Sequence, residues 1–381
     1  MLVMSAVRLA VMDGVLAVMG MRSRWIAVLG GGLFLVSACM ARASDPMPGD
    51  AVALPSNINV FLYYNELSNA GAFAPVRGGI YGQHTRIAID FQALRYIHTF
   101  TLWGMLAGVQ VWEPYTFFPG GQEVGISNIA APPGLPAGTP AYGPGRAHMT
   151  HGGGFGQPNF GAFIFPVNDP RTGTYLVIGP WILPPIGSYK KSASLNYSQN
   201  LWTFETDLGF RTTLLGRPTG RNLSIEIWGT AYIYGDNNNA ALTSPEVLAD
   251  HIPNIYTLYN GLTHGQVPDS NPLAPATAVP ARLHEQPTEE LRVYLPYQFY
   301  PPTRATITPG LYQSFGGKQV YTLANGTKVD SGLRTEETQL RLVVSTYLSR
   351  HWQVLLNAQY DVAAHGGPLS RAVELRVAAA F

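Results

Sequence analysis

The sequence predicts an all-β fold: a transmembrane, antiparallel, up-and-down β-barrel of about twelve strands, with short periplasmic turns and long extracellular loops. Three observations predict it. Apolar and polar residues alternate in twos along one segment after another, and the polar set repeatedly carries charges in mid-strand. The connections between these segments alternate short and long. Only 12% of the residues are charged, against about 25% in soluble globular chains.

The chain opens on a region to be set apart from the fold. Residues 1–43 read as an upstream extension and a secretory signal peptide: Met21-Arg22-Ser23-Arg24 is a basic start, 25–37 an apolar core, and Ala41-Arg42-Ala43 a small-x-small cleavage site. Translation from Met19 or Met21 fits this layout. Val36-Ser37-Ala38-Cys39 offers a competing lipoprotein-type site, with Cys39 as the lipidated residue. Cys39 is the sole cysteine, so cleavage after Ala43 leaves a mature chain without thiol or disulfide. Residues 44–56 follow as a polar, proline-bearing periplasmic lead-in, and the barrel occupies 57–381.

Strands are expected near 57–65, 84–94, 99–112, 155–167, 174–186, 201–214, 223–234, 291–300, 305–315, 338–348, 352–362 and 371–381. The last three are the clearest. Leu340, Leu342 and Val344 alternate with Arg341, Val343 and Ser345; Val354, Leu356 and Ala358 with Leu355, Asn357 and Gln359; Val373, Leu375 and Val377 with Glu374, Arg376 and Ala378. Successive side chains of a strand point to opposite faces, so each strand has one greasy and one mostly polar face. From a periplasmic N-terminus, the inside turns are 95–98, 168–173, 215–222, 301–304 and 349–351, all short. The outside loops 67–83, 113–154, 187–200, 235–290 and 316–337 are long, and 365–370 is the short exception. A soluble sandwich gives no reason for this asymmetry; an outer-membrane barrel does. Within 235–290, Ser244-Pro245-Glu246 offers a helix start, and a short helix over 245–251 is expected before Pro253.

Charges in mid-strand suit a wet lumen better than a sandwich core. Assigning the polar register to the interior gives a lining of Arg86, Asp90, Glu205, Asp207, Arg211, Glu226, Arg292, Arg341, Asp361, Glu374 and Arg376, with Trp228, Tyr232, Tyr234, Tyr294 and Tyr347 as aromatic members. Two readings stand side by side. The set lines a pore of both signs, suited to neutral or amphipathic solutes that stack on its rings; or the charges pair across a narrow barrel and fill it. Trp202 and Trp352, at strand ends, are expected as membrane-interface anchors.

No cofactor or metal is expected. His148 and His151 lack a nearby carboxylate or thiolate partner, and no lysine follows the glycines at 152–156, as a phosphate loop needs. A net charge of +1 gives no broad attraction to nucleic acid. No G-x-S-x-G or similar motif supports a hydrolase.

The middle of the chain carries a further pattern: Phe155-Gly156-Gln157-Pro158-Asn159-Phe160-Gly161, then Thr172-Gly173-Thr174-Tyr175-Leu176, Leu183-Pro184-Pro185-Ile186-Gly187, Ser194-Leu195-Asn196 and Asn200-Leu201-Trp202. This resembles the outer-membrane protein family associated with the meta-pathway of phenol degradation, with Gln157 where the family has Asp and Ile186 where it has Thr. The resemblance implies an outer-membrane barrel of a Gram-negative bacterium, a non-enzymatic transporter of small hydrophobic or aromatic compounds. The final strand, ending on Phe381, resembles the carboxyl-terminal signal of such barrels, which implies outer-membrane lipid and the barrel-assembly machinery as partners. The alternatives left open are an outer-membrane lipid-modifying enzyme and a sealed structural barrel.

Overall fold

The computed structural model describes residues 45–74, 85–126, 145–193, 195–242, 279–331 and 333–381. The helix expected over 245–251 lies outside them. Twelve strands form the wall: β1 Asn59–Ala74, β2 Ile87–Leu102, β3 Met105–Phe117, β4 Asn159–Asp169, β5 Thr174–Leu183, β6 Thr203–Gly216, β7 Asn222–Tyr234, β8 Thr288–Tyr294 continuing as Tyr297–Tyr300, β9 Ala305–Gly316, β10 Glu336–Tyr347, β11 Trp352–His365 and β12 Gly367–Ala380. Each pairs antiparallel with its sequence neighbours, and β12 pairs with β1. The ring is therefore closed, leaving no strand edge unpaired. Among the described residues the only helical element is the 3-10 turn Pro301–Thr303, and no helix is long and apolar enough to cross a membrane.

Alternation sorts the side chains into two surfaces. Phe61, Leu94, Leu208, Leu311, Leu340 and Leu356 are exposed on the outside, Leu94 by 64% and Phe61 by 54%. Fully burying one such side chain is worth about 1.5–3 kcal/mol, so a belt of them is tolerable only against hydrocarbon. Aromatic rings mark its ends: Phe61 packs on Tyr96 and Phe381 at 4.9 and 6.4 Å, while Trp202 and Trp352 stand exposed at the starts of β6 and β11. These two strands run in opposite directions, so the two tryptophans mark opposite rims. The first strand and the residue after the last meet at the short-turn rim, where Asn59 and Phe381 exchange backbone hydrogen bonds of 2.9 Å.

Turns at this rim follow the expected spacing with one correction. β2 does not end before 95–98 but runs on to Leu102, and Leu102 pairs with Met105 across the two-residue turn Trp103-Gly104. Both turn residues have positive φ, 51° and 78°, the conformation a tight hairpin between right-twisted strands requires. Glycine adopts it without strain; a tryptophan gives no turn signal, so the sequence pattern points to a turn further upstream. At the opposite rim the wall continues into a four-stranded sheet made of Asp236–Leu242, Val279–Glu285, Gln319–Leu323 and Lys328–Asp330, and the connection after β3 contains the hairpin Gln122–Ile126 with Gly145–Met149.

A second correction concerns residues 45–56. Expected as a periplasmic lead-in, they run up inside the barrel instead. Met47 and Ala51 are fully buried, Met47 against Val343 and Leu355, Ala51 against Leu106, Phe165 and Tyr294. The polar inner wall supplies partners for the segment's otherwise unpaired backbone groups, so its burial leaves few of them orphaned.

Candidate functional site: the barrel lumen

The inner faces of β5 to β10 are filled by a connected network. Arg292, fully buried, donates to Glu290, to Thr230 Oγ1 at 3.0 Å and to Asp45 Oδ1 at 2.9 Å. Thr230 in turn donates to Asp207 at 2.7 Å, and the Trp181 indole donates to the other oxygen of Asp207 at 2.9 Å. Tyr312 and Tyr232 donate to Glu290 at 2.6 and 3.3 Å. The guanidinium groups of Arg292 and Arg341 lie over the Tyr312 ring, 5.1 and 4.7 Å from its centre. Arg341 also holds Asp45, at 2.8 and 2.9 Å, and donates to Tyr294 and Gln339, the latter bonded to Asp361. Buried charges survive only when so paired.

The entering segment is held by these same charges. Glu226 accepts from the backbone N–H of Gly49 at 2.9 Å and of Ala51 at 3.3 Å, from Arg211 at 2.8 Å and from the Trp228 indole at 3.0 Å. Arg376 donates to Asp50 at 2.8 Å. Charge-assisted bonds of this kind are about twice as strong as neutral ones. The segment is thus held in the lower lumen through bonds to wall side chains, without joining the strand ladder.

Packing here also uses the absence of side chains. A Cβ on Gly161 would lie 2.4 Å from the Trp181 ring, so that glycine makes room for the indole that reaches Asp207.

Twelve of the predicted residues come together inside: Glu205, Asp207, Arg211, Glu226, Trp228, Tyr232, Arg292, Tyr294, Arg341, Asp361, Glu374 and Arg376. Tyr234 continues the set, donating to Thr288 at 3.0 Å. Tyr347 lies apart near the short-turn rim, under the guanidinium of Arg304 at 5.4 Å. Arg86 and Asp90 are corrections. On β2 it is the odd positions that face in, with Ala93 and Ile97 buried and Leu94 and Tyr96 exposed. Asp90 therefore sits on the outer face, where Asn65 donates to it at 3.0 Å. Arg86 precedes the strand, is exposed, and makes a lone bridge to Glu123. Here the polar face is the outer one, because the inner one borders a cavity rather than the charge network.

That cavity, of ≈ 150 Å³, occupies the upper lumen against β1, β2, β3, β10, β11 and β12. Ile87, Ile89, Phe91 and Trp112 line one side, Glu66, Gln359 and Glu374 another, and Asp45 is among its lining residues from the entering segment. Sequence reasoning missed several members of the site: Asp45 and Asp50, Glu66, Glu290, Tyr312 and Arg95. Arg95 donates to Gln110 at 3.0 Å and lies 5.4 Å over both Trp112 and Trp181. Glu290 shares the parity of Arg292 but precedes the expected strand start at 291, whereas the strand begins at Thr288.

Outside the membrane, in the sheet above β7–β9, burial pushes the Glu285 carboxyl up to about 8 despite a hydrogen bond from Gln319. Asp236 goes the other way: burial raises it, but bonds from His284 and Arg282 outweigh this and hold it below the usual carboxylate range.

The sequence profile described as "Putative MetA-pathway of phenol degradation" matches residues 68–267. No curated protein matches the chain. Among solved structures, the chain is similar to the COG4313 outer membrane channel from Pseudomonas putida F1, with 18% identity, a TM-score of 0.62, and coverage of 88% of this chain and 100% of that one. The translocator domain of the autotransporter NalP from Neisseria meningitidis is more distant, at 8% identity and a TM-score of 0.41, covering 87% and 90%. The first likeness shows the fold: a closed, twelve-stranded barrel of outer-membrane type.

Proposed function

Because the chain belongs to the family described as "Putative MetA-pathway of phenol degradation", we propose that it is an outer-membrane channel for passive uptake of small hydrophobic or aromatic compounds. The observation that carries this reading is the cavity of the upper lumen, which reaches Arg334, Gly367 and Pro368 at the long-loop rim and has an apolar wall of Ile87, Ile89 and Phe91. A solute caught by the long connections leaves water for that wall, a transfer worth about 25 cal/mol per Å² of apolar surface. It then moves down its gradient as residues 45–56 shift. These residues are tied by side chains at Asp45, Gly49 and Asp50, contacts that can be released without opening the strand ladder.

The lining set of the passage, in this reading, is Glu66, Ile89, Phe91 and Glu374 above and Arg292, Arg341 and Arg376 below. Residues 1–43 are removed as a leader, which frees residues 45–56 to take their place within the barrel. Outer-membrane lipid contacts the apolar belt, and β12, followed by Phe381, is the strand the assembly machinery engages.

Single-channel conductance of the refolded mature protein, with and without phenol or toluate, tests the proposal. Discrete steps that an aromatic solute blocks in a dose-dependent way are expected. Silence from protein shown to be folded by heat-shifted gel mobility, together with no solute binding, overturns it.

A further inference from the structure

The connections of the short-turn rim carry one sign of charge. Arg171 stands in the turn between β4 and β5, Arg217 and Arg221 between β6 and β7, Arg304 between β8 and β9, and Arg350 between β10 and β11. All five are exposed, and residues 103–104, 170–173, 217–221, 301–304 and 348–351 contain no aspartate, glutamate or lysine. These arginine-bearing turns follow one another around the barrel, each two strands from the next, so the charges form an arc about 10 Å from turn to turn. That is about one Debye length, and salt screens the arc's own repulsion only in part. Asp169, the last residue of β4, is engaged beside the arc by the backbone N–H of Arg171 at 3.0 Å and by Thr172 Oγ1 at 2.8 Å. None of the five guanidinium groups makes an ion pair among the described residues. At the opposite rim Arg282, Lys318 and Arg334 do have acids as partners, in Asp236, Asp330 and Glu336.

Two further observations point to what the arc meets. Its backbone is tied down: Gln298 Nε2 donates to Gly220 O at 2.6 Å, Asn222 Nδ2 to Pro218 O at 3.2 Å, and Thr346 Oγ1 to Thr303 O at 3.3 Å. Charges on fixed turns lose less entropy when a partner orders them. The other observation is their level. Leu214 and Leu215 precede Arg217, Phe299 and Tyr300 precede Arg304, and Leu348 and Trp352 flank Arg350, all of them exposed. Turns this short reach little beyond the apolar belt, so the guanidinium groups lie where hydrocarbon gives way to lipid headgroups. A guanidinium offers a planar fork of donors that fits phosphate oxygens in pairs.

We propose that this arc binds the headgroups of acidic phospholipids, phosphatidylglycerol or cardiolipin, in the periplasmic leaflet. Their phosphates supply the counter-charge that the turns lack, and their chains lie along Leu215, Phe299 and Leu348. Phosphatidylethanolamine fits less well, because its own ammonium offsets its phosphate. Solute passage has no part in this binding.

Electron paramagnetic resonance of the refolded mature protein in bilayers tests the proposal, with spin-labelled phosphatidylglycerol and phosphatidylcholine of identical chains as the probes. The fraction of each label immobilised at the barrel surface reports its association. Phosphatidylglycerol is expected to associate about fivefold or more over phosphatidylcholine, a ratio that high salt lowers. A variant carrying Arg171→Gln, Arg217→Gln, Arg221→Gln, Arg304→Gln and Arg350→Gln, its folding checked by heat-shifted mobility, should bring the ratio down to about one. Lys318→Gln together with Lys328→Gln, at the opposite rim, should leave it unchanged. Equal association of the two lipids with the unaltered protein overturns the proposal and leaves the arc to an acidic protein of the periplasm. A preference that survives the loss of all five arginines, or one that vanishes with the two lysines, overturns it as well.

Discussion

Between β5 and β9 the inner faces carry Trp181, Trp228, Tyr232, Arg292 and Tyr312, whose rings and guanidinium groups interlock; from β12 round to β2 they carry Ala372, Ser370, Ala70, Ser68 and Ile89 and leave a cavity. Both halves of the lumen are built from strands with the same two-residue alternation. What separates them is side-chain volume at equal parity, and the pairing of charge. In the filled half the arginines meet acids directly, Arg211 at Glu226 and Arg292 at Glu290, and the entering segment contributes Asp45 where two arginines need it. In the open half Glu66, Glu336, Glu337 and Glu374 share the cavity wall with Arg334. A closed ring of strands fixes a diameter, and the side chains then decide which part of it stays empty.

The largest effect should come from breaking the filled half at its centre. Arg292→Ala leaves Glu290 to its tyrosine donors and Asp45 to Arg341, and removing one partner of a buried pair costs about 3–5 kcal/mol. Denaturant unfolding in micelles, followed by gel mobility, should show this loss. Arg334→Ala in the open half, where the pair is a quarter to a third exposed, should cost under about 1 kcal/mol. Comparable losses at both positions would erase the distinction between the halves.

Next is packing. Gly161→Ala drives a methyl group into the Trp181 ring and should cost about 1–3 kcal/mol in the same unfolding measurement. Because the indole also serves Asp207, the variant should shift the near-ultraviolet circular dichroism of the folded barrel as well. A variant as stable as the parent would mean that the filled half is looser than its contacts imply.

How much of this was legible in the sequence depends on the strand. β12 gave up its inner face at once, since Glu374 and Arg376 alternate with Val373 and Leu375 and no interior cavity needed an apolar wall there. The same rule failed on β2. Its upper inner face is Ile87, Ile89 and Phe91 because it borders the cavity, and the outer face keeps Asp90 and Gln92 because Asn65 and Gln92 both donate to the carboxylate. Polarity marks a face only when lumen and lipid differ in polarity, and beside an apolar chamber they do not. Asp45 and Asp50 were illegible for another reason: their shortest ion pairs reach more than two hundred residues along the sequence, to Arg292, Arg341 and Arg376, and no local pattern announces a segment that folds back into its own barrel.

The sheet above the filled half allows a test by pH. Glu285, buried beneath Gln319, has its carboxyl pushed up to about 8, above its unfolded value. Its contribution to stability is full below the unfolded value near 4.5 and is lost as pH rises through about 8. Hydrogen exchange at Val279–Glu285 and Gln319–Leu323 should accelerate by up to about a hundredfold, or roughly 2.7 kcal/mol, between pH 6 and pH 9 beyond the intrinsic rate. Glu285→Gln should flatten that profile. Acceleration of equal size in the Gln variant would place the pH response elsewhere.

The smallest effect should fall on the wall of the cavity itself. A fully buried isoleucine cut to alanine costs about 2–5 kcal/mol, because packed neighbours cannot close the hole. Ile89 is only half-buried and faces space that is already empty; its truncation forfeits fewer contacts and should cost about 1 kcal/mol or less. The same change enlarges the chamber by most of a side chain, so its signature belongs to solutes. Block of single-channel current by an aromatic solute bulkier than phenol should become stronger in Ile89→Ala, while block by phenol weakens with the loss of apolar wall. If stability drops as far as it does for a core residue, Ile89 is packed rather than lining, and the division of the lumen into a filled and an open half does not hold on β2.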